Sequence, residues 1–299
     1  MRRLAPLRDL FLHLVKWLLI AAAVAVLAGT ASAGFLYALD WATRTRMAHA
    51  WLIAWLIWLL PVAGFAVGWL YLRYGSSVEG GANLLIDEIH DPKRIIPLRM
   101  APLVLGGTVL SHLFGASVGR EGTAVQMGGA LADQLTRMFR LNNEDRRIIL
   151  MAGISAGFAS VFGTPLAGAI FGLEVLAIGR LRYEAMLPCL AAAVIADQVG
   201  LLWGVHHTHY AVPLIPALSA WTLCAMVLAG VLFGVTGKLF AQATHGLNGL
   251  MKRWIGYAPL RPLMGGLVVA PCCPAWLLPS SPTRWACYGA SITRITPCL

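Results

Sequence analysis

Five stretches of this chain run for twenty or more residues without Asp, Glu, Lys or Arg: 17–39, 47–72, 100–119, 148–173 and 198–237. A helix needs about 20 mostly apolar residues to cross the hydrocarbon of a bilayer. Each stretch therefore predicts a helix that crosses a membrane or nearly does. Three shorter apolar pieces, 122–132, 185–196 and 239–251, predict re-entrant or half-crossing helices. Such helices are tolerated only where they are buried in protein or line a cavity. The expected fold is an all-α polytopic membrane protein, and the mixture of full and partial crossings points to a transporter or channel.

Composition closes the other routes. Hydrophobic residues make up 59% of the chain and charged residues only 12%, about half the charge of a soluble domain. That is too few to cover a soluble globule, and too apolar for disorder. Six cysteines in 299 residues do not make a secreted disulfide scaffold. The net charge of +10 sits in singles and pairs between apolar runs, as in Arg44/Arg46, Lys93/Arg94, Arg146/Arg147, Arg180/Arg182 and Lys252/Arg253. This is the pattern of interfacial anchors and cytoplasmic loops, not of a nucleic-acid stripe. Arg2, Arg3 and Arg8 before the first run place the N-terminus in the cytoplasm of a multi-pass protein of the cell membrane.

That first run has two readings, a membrane helix or a cleavable signal peptide ending at Ala31-Ser32-Ala33. Continuation through Gly34-Phe35-Leu36-Tyr37 favours the helix. Small pairs at GxxxG spacing, Gly64/Gly68, Gly153/Gly157, Gly168/Gly172 and Gly230/Gly234, predict close crossings of membrane helices. Trp51, Trp55, Trp58 and Trp69 are expected at interfaces or in packing. Asp133, Glu144 and Asp145 are expected as solvated charges on a cytoplasmic loop, and Asp197 is a minor functional candidate. His206, His207 and His209 lack Cys or acidic companions and predict a loop after a span, not a metal site. No nucleotide loop, zincin motif or serine elbow occurs. An enzyme and a cofactor are therefore not expected.

The most informative stretch is Gly119-Arg120-Glu121-Gly122-Thr123-Ala124-Val125-Gln126-Met127-Gly128-Gly129. Glu121 lies between two apolar runs, and a carboxylate at membrane depth is a functional candidate. Gly122 and Thr123 are expected to open a helix, whose free N–H groups and dipole attract anions. Two readings follow. The stretch is an anion site that the carboxylate occupies when ionised and vacates when protonated, or Arg120 and Glu121 form a structural pair at a helix cap.

This stretch resembles the GREGP motif of the CLC chloride channel and transporter family. A second stretch, Met151 to Glu174, with Gly163-Thr164-Pro165-Leu166-Ala167-Gly168 inside it, is similar to that family's glycine- and alanine-rich helix followed by a PLAG helix. The resemblance covers roughly residues 10–270. It implies a CLC-type inverted-repeat bundle, with a first repeat at about 10–210 and the start of a second at about 211–270. The implied function is transmembrane halide transport, by fluoride export or chloride conduction, with Glu121 as the gate. The anion would be cradled by Gly119, Arg120, Gly122 and Thr123, and by Gly81, Ala82 and Asn83 in place of the family's first anion loop. Glu174 is a secondary candidate. Halide ions, protons as a second cargo, the lipid bilayer and, at full length, a second copy of the chain are the implied partners.

Three departures refine this. Thr123 replaces the proline of GREGP, as in the fluoride-exporting branch. Glu174 is followed by Val175, so the paired internal carboxylate of the chloride/proton antiporters is missing. Gly80-Gly81-Ala82-Asn83 lacks the serine and proline of the first anion motif.

From residue 271 onward the pattern breaks, with Cys272, Cys273, Cys287 and Cys298 among Pro271, Pro274, Pro279, Pro282 and Pro297. A redox- or metal-linked tail, a genuine extension and an out-of-frame tail on a truncated gene are the three readings, and the last is preferred. On that reading a non-transporting fragment or assembly subunit is the alternative to transport. A pathway of this kind needs helix N-termini from both repeats.

Overall fold

A computed structural model of the chain describes residues 5–48, 55–174, 182–207 and 219–272. Among them the structure is all-α. The helices are α1 (Ala5–Met47), α2 (Leu60–Tyr74), α3 (Ala82–His90), α4 (Met100–Leu113), α5 (Glu121–Met138), α6 (Asn143–Phe162), α7 (Pro165–Glu174), α8 (Tyr183–Leu202), α9 (Ala220–Trp254) and α10 (Leu260–Cys272). Among the described residues, three segments are long and apolar enough to cross a membrane: Phe11–Met47, Tyr183–Leu202 and Ala220–Trp254.

Helix α6 is the hub, packed against α1, α5, α7 and α8. Its start is dictated locally. The Asn142 side chain caps it by accepting from the Asp145 N–H at 2.8 Å, and Glu144 and Asp145 in its first turn complement the helix dipole. Its end is set by Gly163 at φ 66°, a left-handed C-cap that favours glycine. That cap, followed by Thr164-Pro165, divides the charge-free run 148–173 into α6 and α7.

The small-residue pairs make the predicted crossings. Gly153 and Gly157 lie on Gly128 and Ala124 of α5, Gly168 and Gly172 on Ala159 and Ser155 of α6, and Gly64 and Gly68 on Pro262 and Pro259. Gly230 and Gly234 meet nothing among the described residues, and α9 buries no residue there. Helix α1 runs unbroken through Ala31-Ser32-Ala33, with Ser32 and Ala33 buried. Gly29 of α1 sits against the Ala196 carbonyl of α8. Trp55, Trp58 and Trp69 are exposed.

Several expectations need correction. The piece 185–196 is not half-crossing but the centre of the 20-residue α8, because Glu184 and Asp197 lie within the helix and do not end it. The piece 239–251 is part of the 35-residue α9, since one lysine, Lys238, does not interrupt a helix. Asp133 is not solvated: it is fully buried in α5 and paired with Arg146, itself buried and no interfacial anchor. Glu144 and Asp145 do stay at the surface, the first bound to Arg147 and Arg182, the second to Lys16. Trp51, Arg180, His209 and the tail at 273–299 lie outside the described residues.

Candidate functional site

A cleft of about 220 Å³ opens where α3 and α5 begin. Ala82, Leu85 and Ile86 of α3 form one wall and Glu121, Gly122 and Val125 of α5 another, with Ile154 and Phe158 of α6 and Phe171 of α7 behind. The Phe158 and Phe171 rings stack with centroids 4.5 Å apart.

Both helices present unpaired backbone donors. Gly81, the residue before α3, has φ 58° and ψ −127°, a conformation that belongs to glycine. Its N–H donates to the Val78 carbonyl and that of Asn83 to Gly80. The Ala82 N–H has no partner among the described residues. In α5 the first helical bond is Ala124 N–H to the Arg120 carbonyl at 3.1 Å. The N–H groups of Glu121, Gly122 and Thr123 therefore have no helical acceptor. Two helix N-termini on one cleft make a region of positive potential suited to an anion.

Glu121 lines this cleft as the first residue of α5. Its carboxylate makes no hydrogen bond or ion pair among the described residues, and none joins it to Arg120. The cap-pair reading of Arg120 and Glu121 thus finds no contact to rest on.

Of the residues expected at the site, Ala82, Glu121 and Gly122 meet in the cleft, with Gly81 and Thr123 beside it. Gly119, Arg120 and Asn83 are exposed and stand off its walls. Glu174 is exposed at the end of α7, also away from the cleft. Asp197 and His207 form a separate pair at 3.4 Å. Gln126, Phe158 and Phe171 were not singled out beforehand. The Gln126 side chain lies beside both Gly81 and Gly122, one turn along α5 from Gly122, and that spacing was the available signal.

Thr123 is buried, and its hydroxyl shares a 2.6 Å hydrogen bond with that of Thr108 in α4. It offers the cleft its backbone only. Thr123→Val should therefore destabilise the fold by about 1 kcal/mol, read as a lower melting temperature in thermal unfolding. An unchanged melting temperature would mean that the bond to Thr108 adds nothing to the fold.

Residues 63–290 match the family described as voltage gated chloride channel. A chloride/fluoride channel protein of Pseudomonas syringae pv. tomato is 65% identical over 88% of this chain and 57% of its own length. The H(+)/Cl(-) exchange transporter ClcA of Cronobacter sakazakii is 28% identical over 85% of this chain and 57% of its own. Among solved structures, a CLC-type fluoride/proton antiporter superposes with a TM-score of 0.81 at 33% identity, over 87% of this chain and 65% of that one. The chain spans about half the length of the curated relatives it matches.

Proposed function

The chain belongs to the voltage-gated chloride channel family, and from that membership we propose that it carries the glutamate-bearing half of a transmembrane halide pathway. The observation that carries this reading is an unpaired carboxylate, Glu121, on the same cleft as the free N–H groups that open α3 and α5. Ionised, the carboxylate occupies the positive region itself; protonated, it yields that region to an anion. Ala82 and Gly122 supply backbone contacts, with Gly81, Thr123 and Gln126 shaping the rim. We place the first repeat at about 10–210 and the start of the second at about 211–270, with the N-terminus in the cytoplasm and, at full length, a homodimer as the assembly. Glu174, Gly119, Arg120 and Asn83 stay outside the inner contacts and belong to the approaches.

Fluoride is the preferred cargo. Thr123 in the GREGT motif supports this, as does the fluoride named for the Pseudomonas relative and for the antiporter structure. A non-transporting subunit is the weaker reading, since the relatives named here are channels and exchangers. The test is efflux from liposomes containing this chain completed by the second half of the pathway, followed with fluoride- and chloride-selective electrodes. Fluoride should leave faster than chloride, and expression of the completed protein should rescue a fluoride-sensitive bacterium. Faster chloride efflux would reverse the choice of ion, and efflux equal to that of empty liposomes would count against transport.

A further inference from the structure

One guanidinium joins the two helices that open onto the cleft. Arg146, near the start of α6, has only 5% of its side chain exposed. Its Nε and Nη2 donate to the two carboxylate oxygens of Asp133 in α5 at 2.7 and 2.8 Å. Its Nη1 donates to Glu88 Oε2 in α3 at 2.9 Å, and Nη2 donates also to the Arg94 carbonyl at 2.6 Å. Backbone completes the carboxylates. The N–H groups of Lys93 and Arg94 donate to Glu88 at 2.8 and 3.1 Å, and that of Ile96 donates to Asp133 at 2.7 Å. Two buried negative charges and one positive charge are thus held by a closed set of hydrogen bonds.

A buried ion network is a poor source of stability, because apolar side chains of the same volume often do as well. What it supplies here is placement. Helix α3 has nine residues, too few to hold a helix or an orientation unaided. Two contacts on one face fix it: Leu85 lies on Gly129 of α5, and Glu88, one turn on, is held by Arg146. Ala82 stands about 9 Å along the axis from Glu88, at 1.5 Å per residue. A tilt of about 10° about Glu88 would move Ala82 by roughly 1.6 Å on that geometry. Binding constellations tolerate only about 0.5 Å.

We infer that Arg146 is a positioning residue for the anion site. By holding Glu88 and Asp133 on one guanidinium, it sets where the N-terminus of α3 stands relative to that of α5. The inference rests on the reading of the cleft as an anion site.

The test titrates sodium fluoride into the purified full chain in detergent, by calorimetry, for the wild type, Glu88→Gln and Arg146→Lys. Glu88→Gln removes the charge on the α3 arm and one of its two acceptor oxygens but leaves the Asp133–Arg146 fork intact, so it should fold. Arg146→Lys keeps the charge but has no planar fork to reach both carboxylates. Fluoride affinity should fall roughly tenfold in each folded variant. Glu88→Gln should keep the wild-type helix signal. A merely structural network would lower the melting temperature and leave affinity alone. If Arg146→Lys does not fold, Glu88→Gln decides. Affinity within twofold of wild type in folded Glu88→Gln would overturn the positioning role while the anion site stands. A wild-type chain that binds no fluoride would overturn both.

Discussion

In the chain completed by the second half of the pathway, Glu121→Gln is expected to abolish the pH dependence of halide flux and to raise flux at high pH to its low-pH level. The glutamine amide is close in shape but has no charge to lose, so it cannot compete with an anion for the N-terminus of α5. An anionic group at a helix N-terminus gains about 0.3–2 kcal/mol from the dipole and free donors. A competitor held by about 1.4 kcal/mol lowers apparent halide affinity tenfold. The sign follows from which form competes. On the proposed reading the ionised carboxylate blocks, so lowering pH should free the site and raise the wild-type flux. In Glu121→Gln the site is free at every pH, and the flux profile becomes flat. Any proton movement coupled to the halide through this carboxylate should vanish too, which a pH electrode reads in the same liposomes. A variant that keeps the wild-type rate and pH profile would remove Glu121 from the mechanism.

The part of this site legible in the sequence was the part carried by breaks in apolar pattern. Glu121 stood out because, with Arg120 beside it, it interrupts two apolar runs, and the glycines on either side marked a backbone that a ligand can approach. The crossings of α5 with α6 and of α6 with α7 were legible from the spacing of small residues. What was missed lay where charges clustered. In Asn142-Asn143-Glu144-Asp145-Arg146-Arg147, five residues sit at the surface or at a helix start; Glu144 and Asp145 read as solvated loop charges and Arg146/Arg147 as an interfacial or loop pair. Helical periodicity separates them: Arg146, Leu150, Gly153 and Gly157 share one face, the face that meets α5. Asp133 shares a face with Gly129, Gln126 and Gly122, and Leu85 of α3 lies on Gly129. Charge-free length was likewise a coarse guide to helix ends. Single charges such as Lys238 did not stop α9, whereas Gly163 and Pro165, neither of them charged, divided a run that length alone left whole.

The largest loss of stability is expected for Gly157→Leu. At this crossing α5 and α6 touch backbone to backbone. A Cβ on Gly157 would overlap the Ala124 carbonyl oxygen, and one on Gly128 would overlap that of Gly153. Neither obstacle is the end of a flexible side chain, so no rotamer change relieves the clash. The two helices would have to separate, and α6 is packed on its other sides by α1, α7 and α8. Overpacking a well-filled core costs about 1–3 kcal/mol even where side chains can give. A clash with rigid backbone belongs at or beyond the upper end, about 3 kcal/mol or more. That is a large fraction of the margin by which folded chains survive. Gly106→Ala is the control. It is helical too, but a Cβ there meets nothing within 4 Å. Losing a helix-interior glycine should leave stability unchanged or raise it by up to about 1 kcal/mol. Thermal unfolding in detergent by circular dichroism, with gel filtration for aggregation, measures both. Because α6 also carries Phe158 of the cleft and α5 begins with Glu121, any Gly157→Leu protein that folds should bind halide less tightly. Equal melting temperatures for Gly157→Leu and wild type would mean that α5 and α6 do not cross at these glycines.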